Sequence, residues 1–321
     1  MWRPDVLGDG WQARTIPLRP DYQGEAVATL VRRTPDEPRR RAVLYVHGYV
    51  DYFFQTHLGE AWAAQGYDFY ALDLRAHGRS LLPHQLANDV HALASYAEEL
   101  DAAARIVREE EGHELLVVQG HSTGGLITAL WAQARRDRAD GPALDALVLN
   151  SPWLDLNRPW TDRVLTTRAV DVLGRVAPNA VVGQLDPHYG AWLSDPDGGG
   201  WEYDLSWKPV EGFGVRAGWL RAIRRGHAAV ARGLAIDLPI LVCTSTRSGP
   251  ARRWHEALDR TDSVLSVEQT LERAPLLGND VTVVQIPGGV HDLVLSPEPA
   301  RSGYLEAVRA WTNHRLGPAL G

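Results

Sequence analysis

The chain has 321 residues, 45% of them apolar and 23% charged, which excludes wholesale disorder and low complexity. Its net charge of −7 argues against a nucleic-acid partner, because phosphate binding needs a basic face. A single cysteine, Cys243, excludes an intrachain disulfide framework and zinc–thiolate sets.

The N-terminus, Met1-Trp2-Arg3-Pro4-Asp5, has no basic segment leading into an apolar stretch, so no signal peptide is expected. No run reaches the roughly 18 consecutive apolar residues of a membrane span, and the expectation is a cytoplasmic protein without an integral membrane segment. Arg14–Leu18 and Ala26–Val31, around the turn-like Arg19-Pro20-Asp21, suggest an antiparallel start. The next strand candidates are Val43–Val46, Phe69–Leu72, Leu115–Gln119, Ala146–Asn150, Ile240–Thr244 and Val281–Ile286. They are nearly continuous in β-branched residues and Leu, as strands buried on both faces are. Helical patterns over Asn88–Glu111, Gly124–Arg138, Ser263–Ala274 and Pro299–Arg315 alternate with them. This order predicts an α/β fold: a mostly parallel sheet of about eight strands with helices on both faces. Cys243 lies inside the apolar run Pro239–Thr244 and reads as a core filler.

The rhythm breaks between 157 and 237. This stretch holds the loop signal Asp195-Pro196-Asp197-Gly198-Gly199-Gly200 and a helical pattern over Val215–Leu234. The expected organisation is a core (1–156), an inserted cap or lid (157–237) and the rest of the core (238–321). Arginine groups such as Arg39-Arg40-Arg41 and Arg224-Arg225 read as solvated faces.

The strongest chemical motif is Gly120-His121-Ser122-Thr123-Gly124. It follows a strand candidate and opens a helical run, the context that a nucleophile elbow requires. There Ser122 would sit on a strained turn at a helix N-terminus, where the dipole favours a developing anion. A serine hydroxyl needs a base and an oriented imidazole. His291 follows the last strand and the loop Pro287-Gly288-Gly289-Val290, which puts it at the same sheet edge as Ser122. His47, His77 and His121 sit beside turns and read as loop structure. The acid should fall between serine and histidine in chain order. Asp262 is the candidate, with Asp155 and Asp259 as alternatives, and Asp262 would also suit a helix N-cap. An oxyanion needs two backbone donors. The Thr123 amide is one. The other comes from His47-Gly48-Tyr49-Val50, with Tyr49 ahead of Val50.

These residues resemble the α/β-hydrolase superfamily. The resemblance rests on His47-Gly48-Tyr49, on Gly120-His121-Ser122-Thr123-Gly124-Gly125 and on Pro287-Gly288-Gly289-Val290-His291-Asp292. Asp73-Leu74-Arg75-Ala76-His77-Gly78-Arg79-Ser80 adds a fourth segment. Within the superfamily the chain is most similar to the monoglyceride-lipase, lysophospholipase and serine-aminopeptidase-like hydrolases, which carry a helical cap between strands six and seven. The resemblance implies Ser122 as nucleophile, His291 as base, Asp262 as acid, and Tyr49 and Thr123 as oxyanion donors. One departure is that many members place the acid shortly after the penultimate strand. Here Ser245-Thr246-Arg247-Ser248-Gly249 and a further stretch with Arg252-Arg253-Trp254 intervene.

The function expected is a serine hydrolase acting on carboxylic esters, with no metal or cofactor and a small ester as its partner. Alternatives keep the same triad in an acyltransferase, thioesterase, lactonase or aminopeptidase, the last using Glu202, Asp204 or Glu211 to hold an amine. A non-catalytic receptor is the third class. Trp outnumbers Phe by 12 to 4, and six of the 12 Trp lie within the insertion or at its entrance. Trp153, Trp160, Trp192, Trp207 and Trp219 are candidates to line an apolar substrate pocket, or to pack the core of a small cap.

Overall fold

The computed structural model describes residues 1–37, 39–137, 143–156 and 169–318. The chain opens with β1 (Arg3–Pro4), β2 (Trp11–Asp21), β3 (Gly24–Arg33) and β4 (Arg41–Val46). Then come α1 (Thr56–Ala63), β5 (Asp68–Asp73), α2 (Ala97–Arg105), β6 (Leu115–His121), α3 (Thr123–Arg135) and β7 (Ala146–Asn150). Helix α4 covers 169–176. It is followed by β8 (Val181–Gly183), α5 (Pro187–Ser194), β9 (Val215–Arg216) and α6 (Ala217–Ala231). The last elements are β10 (Ile240–Ser245), α7 (Val267–Arg273), β11 (Val281–Ile286) and α8 (Ala300–Leu316).

Nine strands form one sheet in the order β1-β2-β3-β5-β4-β6-β7-β10-β11. Pairing is antiparallel from β1 to β5 and parallel from there to β11. Parallel pairing brings the carboxyl ends of six strands to one edge. After β4 the chain builds β5 on one side and β6 on the other, so the ends of β4 and β6 flank a switch point, where open α/β sheets bind ligands. Val46 of β4 is in register with Gly120 of β6.

Alternation along each strand splits the core in two. Ala42, Leu44 and Val46 join a layer with Leu100 of α2 and Leu126 of α3. Val43 and Tyr45 face the other way, toward Trp62 of α1 and Tyr304 of α8. Cys243 is fully buried in the second layer, and burial raises its thiol pKa.

Helices α2 and α7 begin later than the sequence pattern suggests, for identifiable reasons. Asn88 does not start a helix: its φ is 57°, its side-chain oxygen accepts from Val50 N–H and its amide donates to Ala76 O. Helix α2 starts only at Ala97. Ser266 caps α7 by accepting from Gln269 N–H at 3.2 Å, so 263–266 are loop and Asp262 is not the cap. Between β7 and β10, β8 and β9 pair as a separate two-stranded sheet, so the inserted stretch is not purely helical. Helix α6 packs on α3 at Gly226, where an added Cβ would lie 3.1 Å from Leu130 and 3.2 Å from Leu126. No helix among the described residues is long and apolar enough to cross a membrane.

Candidate active site

Ser122 occupies a sharp turn between β6 and α3, with φ 53° and ψ −117°. A non-glycine residue avoids this region unless its surroundings impose it. Here they do. Ser122 N–H donates to Asn150 O at 3.0 Å, and Ser122 O accepts from Trp153 and Gly125 N–H, each at 3.0 Å. The flanking glycines follow from close backbone approach. A Cβ on Gly124 would lie 2.3 Å from His47 O and 2.4 Å from Val46 O, and one on Gly120 would lie 2.5 Å from Thr128 Oγ1. The turn therefore fits only against the end of β4, which is also where the loop from His47 begins.

Ser122 Oγ lies 3.0 Å from His291 Nε2, and His291 Nδ1 lies 3.0 Å from Asp262 Oδ2. All three are buried. A carboxylate on Nδ1 makes that nitrogen the protonated one, leaving Nε2 to accept from the serine hydroxyl. The long excursion before Asp262 closes on itself. Asp262 N–H donates to Arg247 O at 3.0 Å, and Gly249 N–H donates to Asp262 O at 2.7 Å. This parallel bridge between Ser248 and Asp262 returns the acid to within three residues of the end of β10. Asp262 Oδ1 accepts from the Val264 and Leu265 amides at 2.9 and 2.8 Å, which fixes the carboxylate. The other two candidate acids are engaged elsewhere. Asp155 pairs with Arg224 and Arg273, each at 3.0 Å, and Asp259 pairs with Arg260 on the surface. Arg224 is thus a half-buried, paired ion rather than part of a solvated face.

The turn after β4 reaches toward Ser122: a Cβ on Gly48 would lie 3.2 Å from Ser122 Cβ. Val50 has φ 50° and donates its amide to Asn88 Oδ1 at 3.0 Å, so Val50 N–H is committed. Tyr49 N–H has no acceptor among the described residues. Thr123 is the first residue of α3, and its amide has no partner within the helix.

A family model, serine aminopeptidase S33, matches residues 37–298. The chain belongs to this family. A monoacylglycerol lipase of Mycolicibacterium smegmatis is 29% identical over 283 residues, covering 87% of this chain and 90% of that protein. Among solved structures, a carboxyl esterase from Bacillus coagulans aligns with TM-score 0.67 at 16% identity, covering 95% and 99% of the two chains. A soluble variant of the Saccharomyces cerevisiae monoglyceride lipase aligns with TM-score 0.66 at 16% identity, covering 94% and 96%. The Paleococcus ferrophilus monoacylglycerol lipase aligns with TM-score 0.64 at 18% identity, covering 91% and 99%. These neighbours share the α/β-hydrolase fold.

This S33 chain also carries a buried polar network that the motifs do not announce. Lys208 Nζ lies 2.6 Å from Asp51 Oδ1, and Asp51 Oδ2 lies 3.4 Å from His121 Nδ1. Asp292 adds a second carboxylate 4.0 Å from the same nitrogen. Its oxygens accept from Asn150 Nδ2 at 2.7 Å and Gln55 Nε2 at 3.2 Å. Asp51, His121 and Asp292 have the ligand types of a metal site. The two carboxylates already face donors of the protein itself: the Lys208 ammonium at Asp51, and the Asn150 and Gln55 amides at Asp292. Burial disfavours a charged His121, but Asp292 and Asp51 outweigh it and raise the imidazole pKa. Burial likewise works against the Asp51 carboxylate, yet Lys208 and His121 hold its pKa well below the usual range. His121 is therefore part of an ionic network, not only a loop residue. The one signal in the sequence was that Lys208 is the sole lysine.

The tryptophans divide by location. Trp153 and Trp219 pack on each other at 5.9 Å, with Trp219 3.9 Å from the Tyr49 ring, beside the Ser122 turn. Trp192 is buried against Tyr189 at 6.1 Å, and Tyr189 stands edge-on to His291 at 6.0 Å. Trp207 packs edge-on against Tyr52 at 5.1 Å and under Arg79 at 5.7 Å. Trp160 lies outside the described residues.

Two further histidines make stability depend on pH. Burial, reinforced by His47 at His77 and by Arg224 at His227, lowers both pKa values to about 3. Unfolded histidine titrates near 6.5. The unfolded chain therefore takes up protons between about pH 6.5 and 3 that the folded chain refuses, and stability falls as pH falls through that window. Urea midpoints measured from pH 7.5 to 4 should decline, and less steeply in His77→Gln and His227→Gln. Unchanged slopes in both variants would contradict neutral burial.

Proposed function

We propose that this protein is a serine hydrolase that cleaves carboxylic esters, with Ser122 as nucleophile, His291 as base and Asp262 as acid. The observation that carries the reading is the serine–imidazole–carboxylate chain with two 3.0 Å links, built on a strained turn at a helix N-terminus. Ser122 Oγ attacks the ester carbonyl while His291 Nε2 takes its proton. The carbonyl electrons move onto oxygen, and the Tyr49 and Thr123 amides stabilise that charge. His291 returns the proton to the departing alkoxide, leaving an acyl-Ser122. Water deprotonated by His291 then releases the acid and restores the serine. Asp262 stays ionised, holds the imidazole tautomer and stabilises the imidazolium. The cycle uses only side chains, backbone amides and water.

In this reading residues 157–237 form a cap over the nucleophile, and Trp153 and Trp219 form an apolar wall for the acyl part. The monoacylglycerol lipase relative supports a fatty acyl ester of a small alcohol as the substrate class. The three carboxylates considered as amine anchors are all exposed, and Asp204 accepts from Ser206 N–H and Oγ within its own turn. This favours an ester over an aminoacyl substrate.

The test is labelling by a fluorophosphonate probe, together with rates on p-nitrophenyl esters of rising chain length and on an aminoacyl arylamide. Labelling should map to Ser122, esters should outpace the arylamide, and Ser122→Ala should lower kcat by ~10⁴ to 10⁶. Trp219→Ala should shift the preferred chain length. An unlabelled wild type or an active Ser122→Ala would overturn the reading.

A further inference from the structure

The inserted stretch touches the core at a particular place: the residues directly after the oxyanion turn. A compact turn over 204–208 makes the contact. Asp204 O accepts from Trp207 and Lys208 N–H, and Asp204 Oδ1 accepts from Ser206 N–H and Oγ. Three anchors leave this turn. Asp204 N–H donates to Tyr52 Oη at 2.7 Å, Trp207 packs on the Tyr52 ring, and the Lys208 ammonium donates to Asp51 Oδ1 at 2.6 Å. All three end on Asp51 or Tyr52, two and three residues past Tyr49.

The segment they hold is strained. Val50 is β-branched and sits at φ 50°, a conformation that is costly for such a residue and persists only where neighbours impose it. One restraint is internal to the core, the bond from Val50 N–H to Asn88. The other lies on the adjoining residue. Asp51 turns one oxygen to Lys208 and the other toward His121 Nδ1 and Gly48 N–H, both at 3.4 Å. The Asp51 carboxylate thus links the insertion to the glycine that approaches Ser122. Only 15% of the Lys208 side chain and 2% of that of Asp51 remain accessible, so little solvent screens the pair.

We propose that Lys208 is a positioning residue: its ion pair with Asp51 holds the 48–51 turn so that the Tyr49 amide faces the nucleophile, and seating of the insertion completes the site. The inference rests on the reading of Ser122 as nucleophile and of Tyr49 as oxyanion donor. It adds that catalytic competence depends on a residue supplied by the insertion that need not touch substrate. Asp51 and Asp292 both face the His121 ring, and Lys208 is the cation in direct contact with Asp51. Removing Lys208 leaves Asp51 short of its closest cation. A donor displaced by even a fraction of an ångström loses most of its value in the transition state, whereas ground-state binding is less sensitive.

The experiment compares Lys208→Met and Lys208→Arg with wild type in two measurements. One is steady-state kinetics on a soluble p-nitrophenyl ester. The other is amide hydrogen exchange in peptides covering 47–54 and 201–208. Lys208→Met should lower kcat about 10- to 100-fold with KM within about threefold, and exchange should quicken in both peptides but not in α8. Lys208→Arg keeps the charge but replaces a compact ammonium with a planar fork, and it should recover part of kcat. Wild-type kcat with wild-type exchange at 47–54 in Lys208→Met overturns the proposal, as does a rise in KM at unchanged kcat; if Lys208→Met fails to fold, Lys208→Gln is held to the same criterion. A wild type inert toward esters overturns the ester reading instead, and the exchange measurement still decides whether Lys208 holds the turn.

Discussion

The backbone of Ser122 is the constraint on which the rest depends. A serine at φ 53° and ψ −117° is unfavourable by itself, and three backbone hydrogen bonds from β7, the loop after it and α3 hold it there. The same constraint explains the glycines on either side, because β4 passes within a Cβ's reach of Gly124. It also explains why the motif is local in sequence while its partners are not. Once a strand must end in this turn, the parallel sheet brings the ends of β4, β10 and β11 to the same edge. Those ends deliver Tyr49, Asp262 and His291. Strain at one residue is thereby offset by the packing of the entire sheet.

Electrostatics at the site follow from burial. Two ionic groupings lie at the edge of the sheet, and each joins the insertion to the core. One is Asp51 with Lys208 and His121, beside the turn that carries Tyr49. The other is Asp155 with Arg224 and Arg273, where His227 also contacts Arg224 and Trp153 O. Buried pairs of this kind contribute little net stability compared with apolar packing, but breaking one leaves an uncompensated charge. Their value here is in registering the insertion against the core. The second grouping also separates the two candidate acids chemically: Asp155 is neutralised by guanidinium groups, and Asp262 is left for His291.

The sheet was legible because its strands are short, continuous apolar runs: Ala146–Asn150 and Val281–Ile286 match to the residue. Ser122 and His291 were legible as candidates because a strand, a tight turn and a helix leave a local signature. The starts of α2 and α7 were not, because Asn88 and Asp262 spend their side chains on distant or tertiary partners that no periodicity reveals. The route to Asp262 was obscure for a related reason. A two-residue bridge between Ser248 and Asp262 shortens a long loop in space but leaves no pattern in sequence. Strands of two or three residues, β1, β8 and β9, are too short to carry one. The Lys208–Asp51 pair spans 157 positions and is visible only once the chain is folded.

In the proposed mechanism Ser122, His291 and Asp262 act as one unit, with Asp262 rather than Asp155 orienting the base. Comparing kcat/KM of Asp262→Asn and Asp155→Asn on one soluble ester tests it most directly, with folding of each variant checked by circular dichroism. Asp262→Asn should lose about 10⁴-fold, from the wrong imidazole tautomer, and a folded Asp155→Asn less than about tenfold. A near-wild-type Asp262→Asn beside an inactive, folded Asp155→Asn would contradict it.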